Sequence, residues 1–73
     1  MESRLAYNSG AMFVVTAAGE RRRVPAGACH IGPTSVQRRF WTVRWRERGI
    51  EQSAEISAED LSGYLLGCIV QYA

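Results

Sequence analysis

The chain has 73 residues, 47% of them hydrophobic and 22% charged, with a formal net charge of +2. That length makes one domain, too apolar to be disordered and small enough to need a staple such as a disulfide, a metal or self-association. No stretch approaches the ~18 apolar residues of a membrane span, so no membrane partner is expected.

The net charge hides two blocks. Residues 20–48 carry eight arginines against Glu20 and Glu47, a net +6. Residues 49–73 carry Glu51, Glu55, Glu59 and Asp60 and no base, a net −4. Every basic side chain is arginine, which suits planar, bidentate contacts better than lysine does.

In chain order, residues 1–10 read as a tail or short lead-in, and residues 11–73 as a single α+β domain. The apolar run that follows the lead-in lacks the basic flank of a secretion signal, and residues 11–17 are expected to form a core strand. Ala18-Gly19 supplies a turn, and residues 20–24 return as a second strand that Pro25 stops or confines to an edge. The Arg21-Arg22-Arg23 row then serves either as protection of that edge or as a contact surface. Residues 26–35 are rich in small residues, Gly and Pro, and read as a loop with one short extended piece around Cys29 to Ile31.

The stretch RRFWTVRWR at 38–46 alternates with period two. It centres a strand expected over 36–47, with Trp41, Val43 and Trp45 on one face and Arg38, Phe40, Thr42, Arg44 and Arg46 on the other. Arg48-Gly49 marks a turn, and residues 50–56 form the next strand. Its Ile50, Ala54 and Ile56 must share the tryptophan face, so opposed residue numbers must add to an odd value. A register with Trp45 opposite Gln52 and Val43 opposite Ala54 satisfies this. It sets Arg46 against Glu51 and Thr42 against Glu55.

Ser57 with Asp60 three residues on resembles a capping box, and a helix is expected over 58–72. Leu61, Tyr64, Leu65, Cys68, Ile69 and Tyr72 make its core stripe. The helix has no charge after Asp60, so its back is apolar. Gly63, Leu66, Gly67 and Val70 are expected to carry self-association, giving a homodimer. The expected fold class is therefore α+β: a small antiparallel sheet of about four strands, two successive hairpins, packed on one face by a C-terminal helix.

The residues nominate no enzyme. Cys29, His30 and Cys68 are too few soft ligands for structural zinc, and adjacent Cys29 and His30 point opposite ways in an extended segment. No cofactor is expected, and the two cysteines read as free thiols in a reducing cytoplasm. The candidate contact residues are Arg21, Arg22, Arg23, Arg38, Phe40, Arg44 and Arg46.

The pattern Trp41-x-Val43-Arg44-Trp45-Arg46-x-x-Gly49, followed by a Gln52-Ser53 strand and a helix, resembles the arm-type DNA-binding domain of phage integrases (tyrosine recombinases) over residues 38–66. The resemblance implies a three-stranded sheet backed by a helix, with Arg44 and Arg46 as DNA contacts. It departs from that family in placing Glu51 and Glu55 where basic residues are usual. Each acid in the footprint repels phosphate. Two functions are weighed: a non-enzymatic protein-interaction module, such as a phage or mobile-element inhibitor that blocks a host protein complex, and a nucleic-acid-binding domain using the arginine strand.

Overall fold

The computed structural model describes residues 4–34, 39–65 and 68–71. Seven strands and one helix follow in the order β1 (Arg4–Asn8), β2 (Met12–Val15), β3 (Arg21–Val24), β4 (Gly27–Pro33), β5 (Phe40–Glu47), β6 (Ile50–Ser57), α1 (Ala58–Leu65) and β7 (Cys68–Gln71). Five strands make one sheet in the order β6-β5-β4-β1-β7, and β2 and β3 form a separate two-stranded ribbon. The α+β class holds, with an antiparallel sheet and the helix packed on its strands.

The β5–β6 hairpin has the register that parity requires. Trp45 lies opposite Gln52, Val43 opposite Ala54 and Trp41 opposite Ile56. The loop is two residues, with Arg48 at φ 54° and Gly49 at φ 79°. Two successive positive φ values are the signature of a type I′ turn, whose twist matches that of the strands it joins. Val43, Trp45, Ala54 and Ile56 are all buried, and Trp41 packs against them half-buried. Ile50 shares their parity but stands at the hairpin's end and is 63% exposed.

Three expectations are corrected. The lead-in at 1–10 contains β1, which lies inside the sheet between β4 and β7. Its inward positions are Ala6 and Asn8, a small residue and a polar one, so hydrophobic alternation is faint. The loop at 26–35 contains β4, the sheet's central strand. Cys29 and Ile31 point inward and are buried, and Ala28 and His30 point outward. Gly27 sits at φ 122° where the chain enters this strand, so its glycine marks an entry rather than a loop. The helix expected over 58–72 stops at Leu65, and β7 follows over Cys68–Gln71. Helical spacing of Cys68 and Ile69 with Tyr64 was coincidental; an uncharged run with adjacent Ile and Val suits a strand.

The two expected hairpins exist but belong to different sheets. Pro25 and Gly27 separate β3 from β4, so the ribbon leaves the main sheet and covers its core face with Val14 and Val24. The ribbon returns to the sheet at the β6 edge. There the Ala17 N–H donates to Glu55 O at 2.8 Å, and Arg22 Nη1 donates to Ser53 O at 2.9 Å. Those bonds occupy an edge that would otherwise offer free carbonyls to another strand.

Helix α1 begins as expected: the Asp60 N–H donates to Ser57 Oγ, and Ser57 Oγ–H donates to Asp60 Oδ2, both at 3.2 Å. Leu61 and Tyr64 face the core. The Tyr64 hydroxyl donates to Asn8 Oδ1 at 2.9 Å, and Asn8 Nδ2 donates to Pro25 O at 3.2 Å. One buried amide thereby joins β1, the helix and the bend after β3. Cys29 Sγ lies 3.5 Å from the same hydroxyl.

Cys29 is a free, buried thiol. It lies opposite Ala6 on one side of β1, and Cys68 lies opposite Asn8 on the other. Two strand spacings of about 4.8 Å hold the backbones of β4 and β7 beyond the ~7 Å reach of a disulfide. The two cysteines therefore cannot bridge within one chain.

Two predictions follow from this fold. Arg48→Asn relieves a left-handed arginine in the turn and should raise stability by about 1 kcal/mol, whereas Gly49→Ala should lower it by a similar amount; urea unfolding measures both. Burial pushes the Cys29 thiol up, and its hydrogen bond with Tyr64 offsets part of that. The unfolded chain then releases the Cys29 proton before the folded one does. This contribution is fully present below the ordinary cysteine range and is lost as pH rises through the folded value. In a Cys68→Ser background, stability should fall more steeply above about pH 9 than in the Cys29→Ala, Cys68→Ser variant; equal slopes would sink the assignment.

Candidate partner-binding surface

The core side of the five-stranded sheet is covered by the ribbon and α1. Its other side is open among the described residues, and alternation decides what stands there. On β1 it is Leu5 and Tyr7; on β4 it is Ala28, His30 and Gly32. On β5 it is Phe40, Thr42, Arg44 and Arg46, and on β6 it is Glu51, Ser53 and Glu55. The register sets these in rows. One runs from Ser53 through Arg44 and His30 to Leu5. In another, Arg46 faces Glu51, and Tyr7 faces Ala28.

Arg44, Arg46, His30, Glu51 and Glu55 are all exposed. Tyr7 is 37% and Phe40 38% exposed, one aromatic ring on each side of the basic pair. The small Ala28 side chain leaves the central strand low between its neighbours. An open groove of about 440 Å³ results, lined by Ala28, His30, Arg44, Trp45, Arg46 and Glu51. Trp45 contributes little side chain there, since only 4% of it is exposed and its ring faces the core.

The other candidate arginines lie elsewhere. Arg22 shares its side of the ribbon with buried Val24 and turns toward the sheet. Besides its bond to Ser53 O, its Nη2 reaches Gln52 Oε1 at 3.5 Å, and its guanidinium stands 5.3 Å from the Trp45 ring centroid. It joins the ribbon to the sheet. Arg21 and Arg23 are exposed on the ribbon's outer face, with Phe13 and Val15. Arg21 and Arg23 therefore lie on the separate ribbon, which bonds to the sheet at the β6 edge, and Arg44 and Arg46 lie on β5 of the main sheet.

Arg38 lies outside the described residues. So do Leu66 and Gly67 of the expected self-association face; Gly63 is on α1, and the backbone of Val70 lies in β7 opposite Ala6. Gly63 and Val70 share no helix, because α1 ends at Leu65 and Val70 lies in β7. Sequence reasoning missed Tyr7, Ala28 and the true position of His30. The alternation of 4–8 and 28–31 carried the signal, but small residues at half of the positions muted it.

No described helix is long and apolar enough to cross a membrane. Among the described residues, no group of three or more His, Cys, Asp or Glu side chains converges as metal ligands would. Compared with protein-family models, with curated proteins and with solved structures, the chain gives no match.

The different settings of the arginines give a test. Arg22→Ala should cost about 1 kcal/mol, from a charged hydrogen bond and a cation–π contact at a solvent-washed rim. Arg23→Ala and Arg44→Ala should stay within about 0.5 kcal/mol of the parent. Denaturant melts of the three variants check the ordering.

Proposed function

We propose that this chain is a small non-enzymatic binding protein that docks onto a protein partner through the open face of its sheet. One observation carries the reading: arginines of β5 and glutamates of β6 stand side by side, with Arg46 opposite Glu51 and Thr42 opposite Glu55. A surface of both signs is matched by another surface of both signs. A phosphate backbone presents one sign, and half of this face would repel it. Tyr7 and Phe40 flank the charges with the aromatic anchors that protein interfaces favour.

Such a domain suits a phage or mobile-element inhibitor that occupies a surface of a host complex, acting in the cytoplasm with its thiols reduced. The same complementarity would let the face meet a second copy. A two-fold axis parallel to the strands sets the arginine column of one copy over the glutamate column of the other.

Nucleic-acid binding is the second reading. It is favoured by Arg44 and Arg46 beside His30, with Tyr7 and Phe40 exposed as rings on which bases could stack. The resemblance to the arm-type domain of phage integrases rests on the same strand.

Duplex and single-stranded DNA, tested at roughly 50 and 200 mM salt, separate the two readings. The protein-partner reading predicts no measurable binding by the parent chain at either salt. It also predicts a gain of salt-sensitive binding by Glu51→Lys with Glu55→Lys, which removes the repelling column. Parent binding that falls steeply with salt and is abolished by Arg44→Glu with Arg46→Glu would replace it with the nucleic-acid reading.

A further inference from the structure

The ribbon carries a second surface, independent of the open face and beyond the function proposed for it. Val14 and Val24 are buried beneath the ribbon, and Phe13, Val15, Arg21 and Arg23 point away from the core. Phe13 is 55% exposed and Val15 50%. Leaving both in water is costly for so small a chain, since each apolar Å² kept from burial forgoes about 25 cal/mol. The register sets Phe13 opposite Arg23 and Val15 opposite Arg21. One strand thus presents two apolar side chains about 7 Å apart, and its neighbour presents two arginines with the same spacing.

One of these arginines stacks on the ring, diagonally across the strand pair. The Arg21 guanidinium lies over the Phe13 ring at 4.1 Å from the centroid. Stacking uses the flat face of the guanidinium and leaves its edge of N–H donors free. A planar donor edge held beside an exposed ring is the pre-organised form of a bidentate carboxylate contact. The platform beneath it is fixed too. Arg22 bonds the ribbon to Ser53 O, and the Ala17 N–H bonds its turn to Glu55 O.

We infer that the outer face of the β2–β3 ribbon is a docking site for an acidic amphipathic protein segment. Its apolar side chains would cover Phe13 and Val15, and its carboxylates would meet Arg21 and Arg23. Charge complementarity selects the occupant: among the described residues both charged groups that the two ribbon strands turn outward are positive, in contrast to the two-signed open sheet. A helix that repeats Leu and Glu at i, i+4 presents each about every 6 Å, close to the spacing of the ribbon.

Fluorescence anisotropy of the full chain with such a labelled Leu/Glu helical peptide tests this, with the Leu/Lys counterpart and vesicles of anionic lipid run alongside. The Leu/Glu peptide should bind and the Leu/Lys peptide should not. Phe13→Ser and Arg21→Ala should each weaken binding about tenfold with unchanged melting temperature, as expected for anchor residues at a surface. Arg44→Glu with Arg46→Glu should leave the peptide affinity unaltered, which separates this surface from the open face. Absence of Leu/Glu binding, or binding indifferent to both ribbon variants, overturns the inference. So does binding lost with the open-face pair, or vesicle binding that needs Phe13 and Arg21 in place of peptide binding.

Discussion

The two-residue turn at Arg48-Gly49 is the constraint on which the rest depends. Its pair of positive φ values closes β5 onto β6 with no spare residue. A register slip of one position would turn Val43, Trp45, Ala54 and Ile56 into water and bring the arginines and glutamates inside. The same register that builds the core therefore builds the open face. Arg46 is set opposite Glu51 because Trp45 is set opposite Gln52. Core and surface are two readings of one alignment, and neither can shift alone.

The second constraint is polar. A 73-residue chain has little apolar surface to spend, and here one buried amide takes a position that an aliphatic side chain could fill. Asn8 repays its burial by joining three elements distant in sequence: its own strand, the Pro25 carbonyl and the Tyr64 hydroxyl. An apolar residue would pack against these neighbours without fixing their relative placement, whereas hydrogen bonds have directions. Arg22 performs the matching task at the opposite edge, where it holds the ribbon against β6. Among the described residues, two polar bridges, at Asn8 and at Arg22, tie the helix, the sheet and the ribbon of this small scaffold together.

Legibility in the sequence followed side-chain size. The β5–β6 hairpin was readable down to its register because Trp41, Val43 and Trp45 alternate with charge, leaving one solution. The cap at Ser57 was readable because its hydrogen bonds are local. Strands β1 and β4 were not, since Ala6, Asn8, Ala28 and Gly32 contribute too little contrast to show period two. Only their neighbours in the sheet make them strands, and that is information from distant parts of the chain. The end of α1 failed for the converse reason. Cys68 and Ile69 fit helical spacing and strand alternation alike, and the short uncharged run held nothing to choose between them. The candidate surface inherited these gaps. Arg44 and Arg46 were placed, whereas His30 and Tyr7 could join them only once β4 and β1 existed.

Folding also changes what the charge pattern means. Along the sequence the charges form a basic block and then an acidic one, as if the protein were a dipole. In the fold, β5 ends the first block and β6 begins the second, and the tight turn sets them about 4.8 Å apart. The dipole is folded into adjacent columns whose fields largely cancel at a distance of a Debye length and remain distinct at contact range. Such a face gives little long-range attraction to a polyanion and much short-range selectivity for a matched surface. The remaining basic side chains of β3 are divided between an internal bridge, Arg22, and the outer ribbon, Arg21 and Arg23. One run of three arginines thus supplies a structural joint and a separate cationic platform. Period-two alternation alone makes that division, because in a strand the middle residue of any three must face the other way.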